Sequence, residues 1–177
     1  MKYQHSRLSG GYTLVEMLVV IAVIGILAAI AAPNWLALLS RLRLNAAQAE
    51  ALSAMRGAQA RAIREKRVWE TSFRITDERV QWSVHPIDNL PEANWIWKDL
   101  IDEDADNIEI DLSNTTLRRR NGAYRIQFQY KGRVNGQLGR ITFITRGQDN
   151  SANATKRCVW VSTLLGVLRT DGDRGCQ

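Results

Sequence analysis

The sequence predicts an α+β protein, with one long N-terminal helix packed on a C-terminal domain of antiparallel β-sheet. Three observations predict it. An apolar run of helical length stands near the start of the chain, apolar residues then recur every three or four positions to about Arg67, and beyond that point the period changes to alternation. At 177 residues there is room for one domain with a substantial core beyond the apolar run.

The first element is the apolar run itself. Tyr12 to Ala32 is twenty-one residues, which as a helix spans about 31 Å, the hydrocarbon thickness of a bilayer. The segment 12–35 is therefore expected to cross a membrane. A secretory signal peptide would have a shorter apolar core ending in a small-residue cleavage site, whereas this run continues into an amphipathic helical pattern. Lys2 and Arg7 precede the span and Arg41 and Arg43 follow it; the positive-inside rule places the first residues in the cytoplasm and the bulk of the chain outside it. From Met17 to Ala32 there is no charged side chain, so Glu16 stands alone at the edge of the run. A carboxylate there either snorkels to the headgroups or has a partner or a task.

The second element continues the helix to about residue 67. Leu38, Leu42, Ala46, Ala49, Leu52, Met55 and Ala62 form the expected apolar face, with Arg41, Arg56, Arg61, Arg64 and Glu65 on other faces. Gly57 within it costs about 1 kcal/mol relative to alanine, tolerable where packing supports the helix. The alanine-rich stripe allows close approach of a sheet.

The strands come next, in residues 68–177. Trp69 to Ile75, Arg79 to Val84, Ile108 to Leu112, Tyr124 to Tyr130, Arg140 to Ile144 and Cys158 to Ser162 are short, rich in β-branched and aromatic residues, and punctuated by Gly132, Gly136, Gly139 and Gly147. Tyr124 to Tyr130 alternates apolar and polar residues without a fault. Pro86 to Asp106 reads as a long loop with one helical turn at Trp95 to Ile101. Cys158 and Cys176 fall in the part expected outside the cytoplasm, where a disulfide between them would stabilise the fold by about 3 kcal/mol. Two free thiols are the alternative, with Cys158 buried as a small apolar residue.

Charge is distributed unevenly. Asp99 to Asp111 holds seven acids and no base, while Arg118 to Gln177 holds twelve bases against three acids. No catalytic constellation, phosphate-cradling glycine motif or metal-ligand spacing is legible, so neither an enzyme nor a cofactor is expected. His85 is the only histidine beyond residue 11, too few for a histidine-based metal site. The acidic stretch lacks the spacing and glycine of a calcium loop.

The basic leader, Gly11, Tyr12, the Thr13-Leu14 pair, Glu16 and the apolar run together resemble the class III leader of type IV prepilins and pseudopilins. That resemblance implies cleavage by prepilin peptidase between Gly11 and Tyr12, removal of residues 1–11, and N-methylation of Tyr12, a position where the family most often has phenylalanine. Glu16 becomes the fifth mature residue and neutralises the N-terminal amine of a neighbouring subunit during filament assembly. A carboxylate and an ammonium leaving lipid together cost far less than either alone. Pro33 matches the helix-kinking proline of pilins; read without the family, it ends the membrane helix.

The stretch Val161 to Arg169 is similar to the C-terminal signature of the GspH/FimT family, in which a strand ending in Val-Ser leads to a glycine and then basic residues. It implies a minor pilin of a type IV pilus or a minor pseudopilin of a type II secretion filament. The implied partners are other subunits, the peptidase and the inner membrane, with residues 36–177 on the periplasmic side. Some FimT-type pilins bind DNA through Gly-Arg-x-Arg, of which Gly166-Val167-Leu168-Arg169 keeps the glycine and the last arginine. DNA is thus an alternative partner, contacted by Arg118, Arg119, Arg120 and Arg169. A single-span protein with an extracytoplasmic ligand-binding domain is the third reading.

Overall fold

The computed structural model describes residues 11–87, 94–102, 105–148 and 154–177, with the side chains of residues 31–34 excepted. The chain divides into two compact units, Met1–Leu39 and Ser40–Gln177. One helix, α1 (Leu14–Glu65), belongs to both. Its assignment runs through Pro33 without interruption, and the expected kink rests on a side chain outside the described residues.

In the first unit every described side chain from Tyr12 to Ile30 is exposed, including Leu14, Ile21 and Leu27. The helix is long and apolar enough to cross a membrane by length and composition. A helix apolar on all sides and uncovered by its own chain has no stable place in water.

In the second unit α1 packs on two antiparallel sheets. β1 (Trp69–Thr76), β2 (Arg79–Pro86), β3 (Lys98–Asp99), β5 (Arg118–Arg120) and β6 (Ala123–Phe128) form a five-stranded sheet in the order β3-β2-β1-β6-β5. β4 (Ile108–Ile110), β7 (Gly139–Thr145), β8 (Lys156–Val161) and β9 (Leu168–Gly172) form a four-stranded one in the order β4-β7-β8-β9. All six strands expected from alternation are present. The expected antiparallel β-sheet domain is thus built as two sheets, whose strand order is a tertiary choice.

Three strands escaped the sequence pattern. β5 is three consecutive arginines, all exposed, on an edge where alternation has no meaning. β9 is mostly polar and is recruited by pairing with β8, Val161 opposite Leu168. β3 falls where a helical turn was expected at Trp95 to Ile101. Instead Lys98 and Asp99 pair with Trp82 and Gln81, and the Leu100 amide donates to the Val80 carbonyl at 2.8 Å. Pairing with an open edge satisfies backbone groups that a single isolated turn would leave to water.

The buried stripe of the helix also differs from expectation. Leu44, Ala47, Ala51, Met55, Ala58 and Ala62 are fully buried, whereas Leu38, Leu42, Ala46 and Ala49 are exposed and Leu52 is half-buried. Both sets have helical spacing, and alanine suits either side of a helix, so periodicity could not separate them. The small side chains let the helix approach both sheets closely. Phe73 of β1 and Phe143 of β7 meet edge to face at 6.4 Å between ring centroids, joining the two sheets in one core.

Two glutamines fasten the helix to the sheet ends. Gln48 donates to the carbonyls of Cys158 at 2.8 Å and Asp171 at 2.7 Å, and Gln59 to those of Gly132 at 2.8 Å and Gly166 at 3.0 Å. The helix stops at Glu65 rather than Arg67, with Lys66 in the left-handed region at φ 54°. Without glycine or asparagine there, the end carried no sequence signal.

Candidate functional site

The N-terminal site is built on the first turn of α1. Thr13 precedes the first helical residue, and its Oγ1 accepts the backbone N–H of Glu16 at 3.2 Å, while its carbonyl accepts from the Met17 amide at 3.2 Å. This is one half of a capping box, for which Thr13-Leu14-Val15-Glu16 has the required Thr-x-x-Glu spacing. The spacing was visible in the sequence, and Thr13's capping role was missed. Its effect is to start the helix sharply just after Tyr12, so that Glu16 lies in the first turn at the positive end of the helix dipole. Among the described residues no side chain pairs with the Glu16 carboxylate. Gly11 and Tyr12 lie before the helix in non-helical backbone, and Tyr12 is 77 % exposed. The Gly11-Tyr12 pair is exposed.

At the other end of the chain, Cys158 of β8 is disulfide-bonded to Cys176, with their Cα atoms 5.7 Å apart and both side chains fully buried. Cys176 ends a 3-10 turn, Asp173–Cys176, that the Trp160 indole also holds through the Gly175 carbonyl at 3.1 Å. Gly166, the glycine of the Val161 to Arg169 stretch, turns the chain between β8 and β9 at φ 85°. A Cβ there would collide with the Gly132 carbonyl and with Gln59, so this glycine serves both conformation and close approach.

The four arginines proposed for nucleic acid are divided. Arg118, Arg119 and Arg120 are exposed on β5, whereas Arg169 is on β9 of the other sheet with its guanidinium 5.2 Å above the Trp160 ring. Arg118 and Arg120 line a hollow of about 70 Å³ with Arg125, Gln127 and Asn135. Arg169 lines a different hollow beside Thr116 and Leu138. Arg119 turns the other way, over Tyr124 at 5.6 Å.

Beneath the Arg118 hollow lies a buried polar cluster that the sequence did not reveal. Glu70 accepts from Ser72 Oγ at 3.0 Å and Gln127 Nε2 at 2.7 Å, and its carboxylate faces Arg125 at 3.4 Å and His85 at 3.6 Å. His85 stacks on Trp95 with ring centroids 3.5 Å apart. Ser72 Oγ also lies 3.2 Å from His85 Nε2, which brings a serine, a histidine and a carboxylate together. The geometry is not that of a nucleophilic triad. The carboxylate and the hydroxyl meet the same ring nitrogen, while Nδ1 faces the Pro86 carbonyl at 3.3 Å, and Ser72 is fully buried. The cluster anchors β1, β2 and β6 to one another.

A second buried pair holds the other sheet. Asp111 Oδ2 lies 3.1 Å from Lys156 Nζ, and its two oxygens also accept from the Asn114 side chain and from the Ser113 and Asn114 amides. Burial pushes the Asp111 carboxyl up, but the hydrogen bonds from Asn114 and Lys156 outweigh it and hold the carboxyl below the ordinary range. Asp99 is held low by its hydrogen bond from Gln81, against an opposing effect of burial, and further by Arg79. Among the described residues no group of three or more His, Cys, Asp or Glu side chains is placed to hold a metal ion.

The described residues thus give a helix long and apolar enough to cross a membrane, begun by a Thr13 cap with Glu16 in its first turn, and a domain of two sheets packed on the helix's second half. Residues 6–32 match the model of the prokaryotic N-terminal methylation motif, so the chain carries the N-methylation motif of prokaryotic prepilin signals, consistent with the type IV pilin and pseudopilin superfamily. No curated protein matches the chain significantly. Among solved structures, the minor pseudopilin EpsH from the Type 2 Secretion System of Vibrio cholerae is similar at a TM-score of 0.46 and 12 % identity, covering 72 % of this chain and 95 % of that one. The type IV minor pilin FimU of Pseudomonas aeruginosa is similar at 0.43 and 13 %, covering 72 % and 92 %.

Proposed function

We propose that the chain is a minor pilin or pseudopilin, a non-enzymatic subunit of a type IV pilus or type II secretion filament. The observation that carries this reading is the methylation motif set on a capped helix whose apolar surface its own chain leaves bare, with Glu16 in its first turn. Prepilin peptidase cuts between Gly11 and Tyr12, and Tyr12 is N-methylated. The new helix of residues 12–35 rests in the inner membrane with residues 36–177 in the periplasm, until the subunit enters the filament. There the Glu16 carboxylate meets the N-terminal amine of a neighbour, so that both charges leave lipid as a pair. A neighbour on the membrane side is required, which argues against a capping place at the very tip.

Intact-mass spectrometry of the protein purified from membranes tests the reading. A mature N-terminus at Tyr12 carrying one added methyl group is expected, and an N-terminus anywhere else refutes it. DNA binding draws support from the exposure of Arg118 to Arg120, while Arg169, the fourth arginine of that reading, lines a separate hollow on the other sheet.

A further inference from the structure

At the end of the domain where α1 finishes, two loops lock together over the helix. Gln59 bridges the carbonyls of Gly132 and Gly166, and the Val134 amide donates to the Leu164 carbonyl at 3.0 Å. The turn from β8 to β9 is also pinned from within. Its Ser162 amide and hydroxyl both donate to the Val167 carbonyl at 3.0 Å, and its Gly166 amide donates to the Thr163 carbonyl at 2.9 Å. A loop held at so many points presents its side chains already arranged.

What it presents is apolar. Leu164, Leu165 and Val167 are 60 %, 67 % and 52 % exposed, while Gly166 between them is buried. Tyr130 on the adjoining loop and Ile63 near the end of α1 are half exposed as well, and a side chain at Gly132 would run into Ile63. These five large side chains contribute little to the core, and gathered on one face they form the kind of apolar patch that marks an interaction site. The rim is basic. Lys131 and Arg133 flank Gly132, and Arg56 shares a row of α1 with Gln59 and Ile63; all three are exposed, without a carboxylate partner among the described residues. Glu65, the acid nearest Ile63 in the chain, is held by Arg64 at 3.5 Å and Arg67 at 2.7 Å.

We propose that this end of the domain docks a second filament subunit of different sequence, whose contact surface is apolar at its centre and acidic at its edge. An apolar centre kept dry inside a polar rim is the anatomy of a specific protein interface. The rim decides against the same face of a second copy, which would set Arg56, Lys131 and Arg133 against themselves. Position decides against the anchoring bilayer. From Ser40, where the second unit begins, to Ile63 is about 35 Å of helix, so the patch lies at the end of the domain away from the apolar run's point of entry. Val167 decides against a phosphate backbone, because it stands where the first arginine of Gly-Arg-x-Arg would be. The proposal rests on the filament reading and deepens it: Glu16 takes a neighbour on the membrane side, and this face takes another subunit beyond the Glu65 end.

The test is photocrosslinking of the full chain in its own cells, with p-benzoylphenylalanine in place of Leu165 and, as a reference, in place of Arg119 on the β5 edge. The expected adduct at position 165 contains an N-methylated chain of different sequence, identified by mass spectrometry, at about ten times the reference yield or more. Lys131→Glu with Arg133→Glu should lower that yield about tenfold, and Leu164→Asp should do the same, since each puts a repelling or unpaired charge into the contact. These side chains are exposed, so both variants should keep the native Tm, which separates a lost contact from a lost fold. No adduct above the reference, an adduct with a second copy of this chain or with lipid, or a yield that both variants leave unchanged overturns the proposal. So does retention of a labelled DNA duplex by the purified chain that Leu164→Asp abolishes. The N-terminal mass of the same preparations tells the two failures apart: a methylated Tyr12 without the adduct sinks this contact alone, and an unprocessed N-terminus sinks the filament reading with it.

Discussion

Removing the disulfide should loosen the C-terminal end of the domain by an amount the structure allows to be worked out. Cys158 and Cys176 are 18 residues apart, and closing a loop of that size removes about 3 kcal/mol of unfolded-chain entropy. The native state needs no rearrangement to lose the bond. β8 remains paired on both sides, and the terminal turn keeps the Trp160 bond to Gly175 and the Arg140 bond to the Gln177 carbonyl at 2.8 Å. The double substitution Cys158→Ala and Cys176→Ala should therefore leave a folded domain. For a domain of this size a loss of about 3 kcal/mol lowers Tm by about 10 °C. Thermal unfolding of the detergent-purified chain followed by circular dichroism measures it, and strong reductant should produce the same shift in the native chain. A drop smaller than about 2 °C would mean that the pairing of β8 with β9 already constrains the unfolded chain, refuting the loop-entropy argument.

Three further outcomes are expected. Glu16→Ala should leave cleavage after Gly11 intact but abolish recovery of the subunit in sheared filaments; normal incorporation would defeat the charge-pairing argument. Gly166→Ala should destabilise the domain by about 2 kcal/mol or more, since the left-handed backbone and the contact with Gly132 both oppose a side chain, and urea denaturation would register it. Asp111 is depressed in the folded state, so its stabilising effect is full above the unfolded carboxyl pKa of about 3.9 and is lost as pH falls through the lower folded value. Asp111→Asn should accordingly cost about 3 kcal/mol at neutral pH, by stranding Lys156, and should flatten the loss of stability in acid. A variant as steep as the native chain below pH about 4 would assign the acid transition to other groups.

Much of the architecture was legible because it rests on local patterns. The bare apolar helix follows from an unbroken run of lipid-compatible residues, and six strands follow from alternation. Cys158 and Cys176 pointed to a disulfide through compartment and number. What failed to show were features that depend on a neighbour across space. β5 and β9 are strands because β6 and β8 offer them an edge, and Lys98 and Asp99 were drawn out of an expected helical turn by the free edge of β2. The buried helix stripe could not be chosen between two alanine phases until the sheets were placed against one of them.

The candidate sites divide along the same line. Gly11, Tyr12 and Glu16 are adjacent in the chain, so their chemistry is written in order of residues, and even the missed cap of Thr13 has a spacing that can be read. The roles proposed for these residues are therefore read from the sequence alone. The Glu70, Ser72, His85 and Arg125 cluster and the division of Arg169 from Arg118 were decided only by tertiary structure. Strand order sets which side chains share a face, and that order is fixed by long-range burial and pairing, which local propensity does not encode.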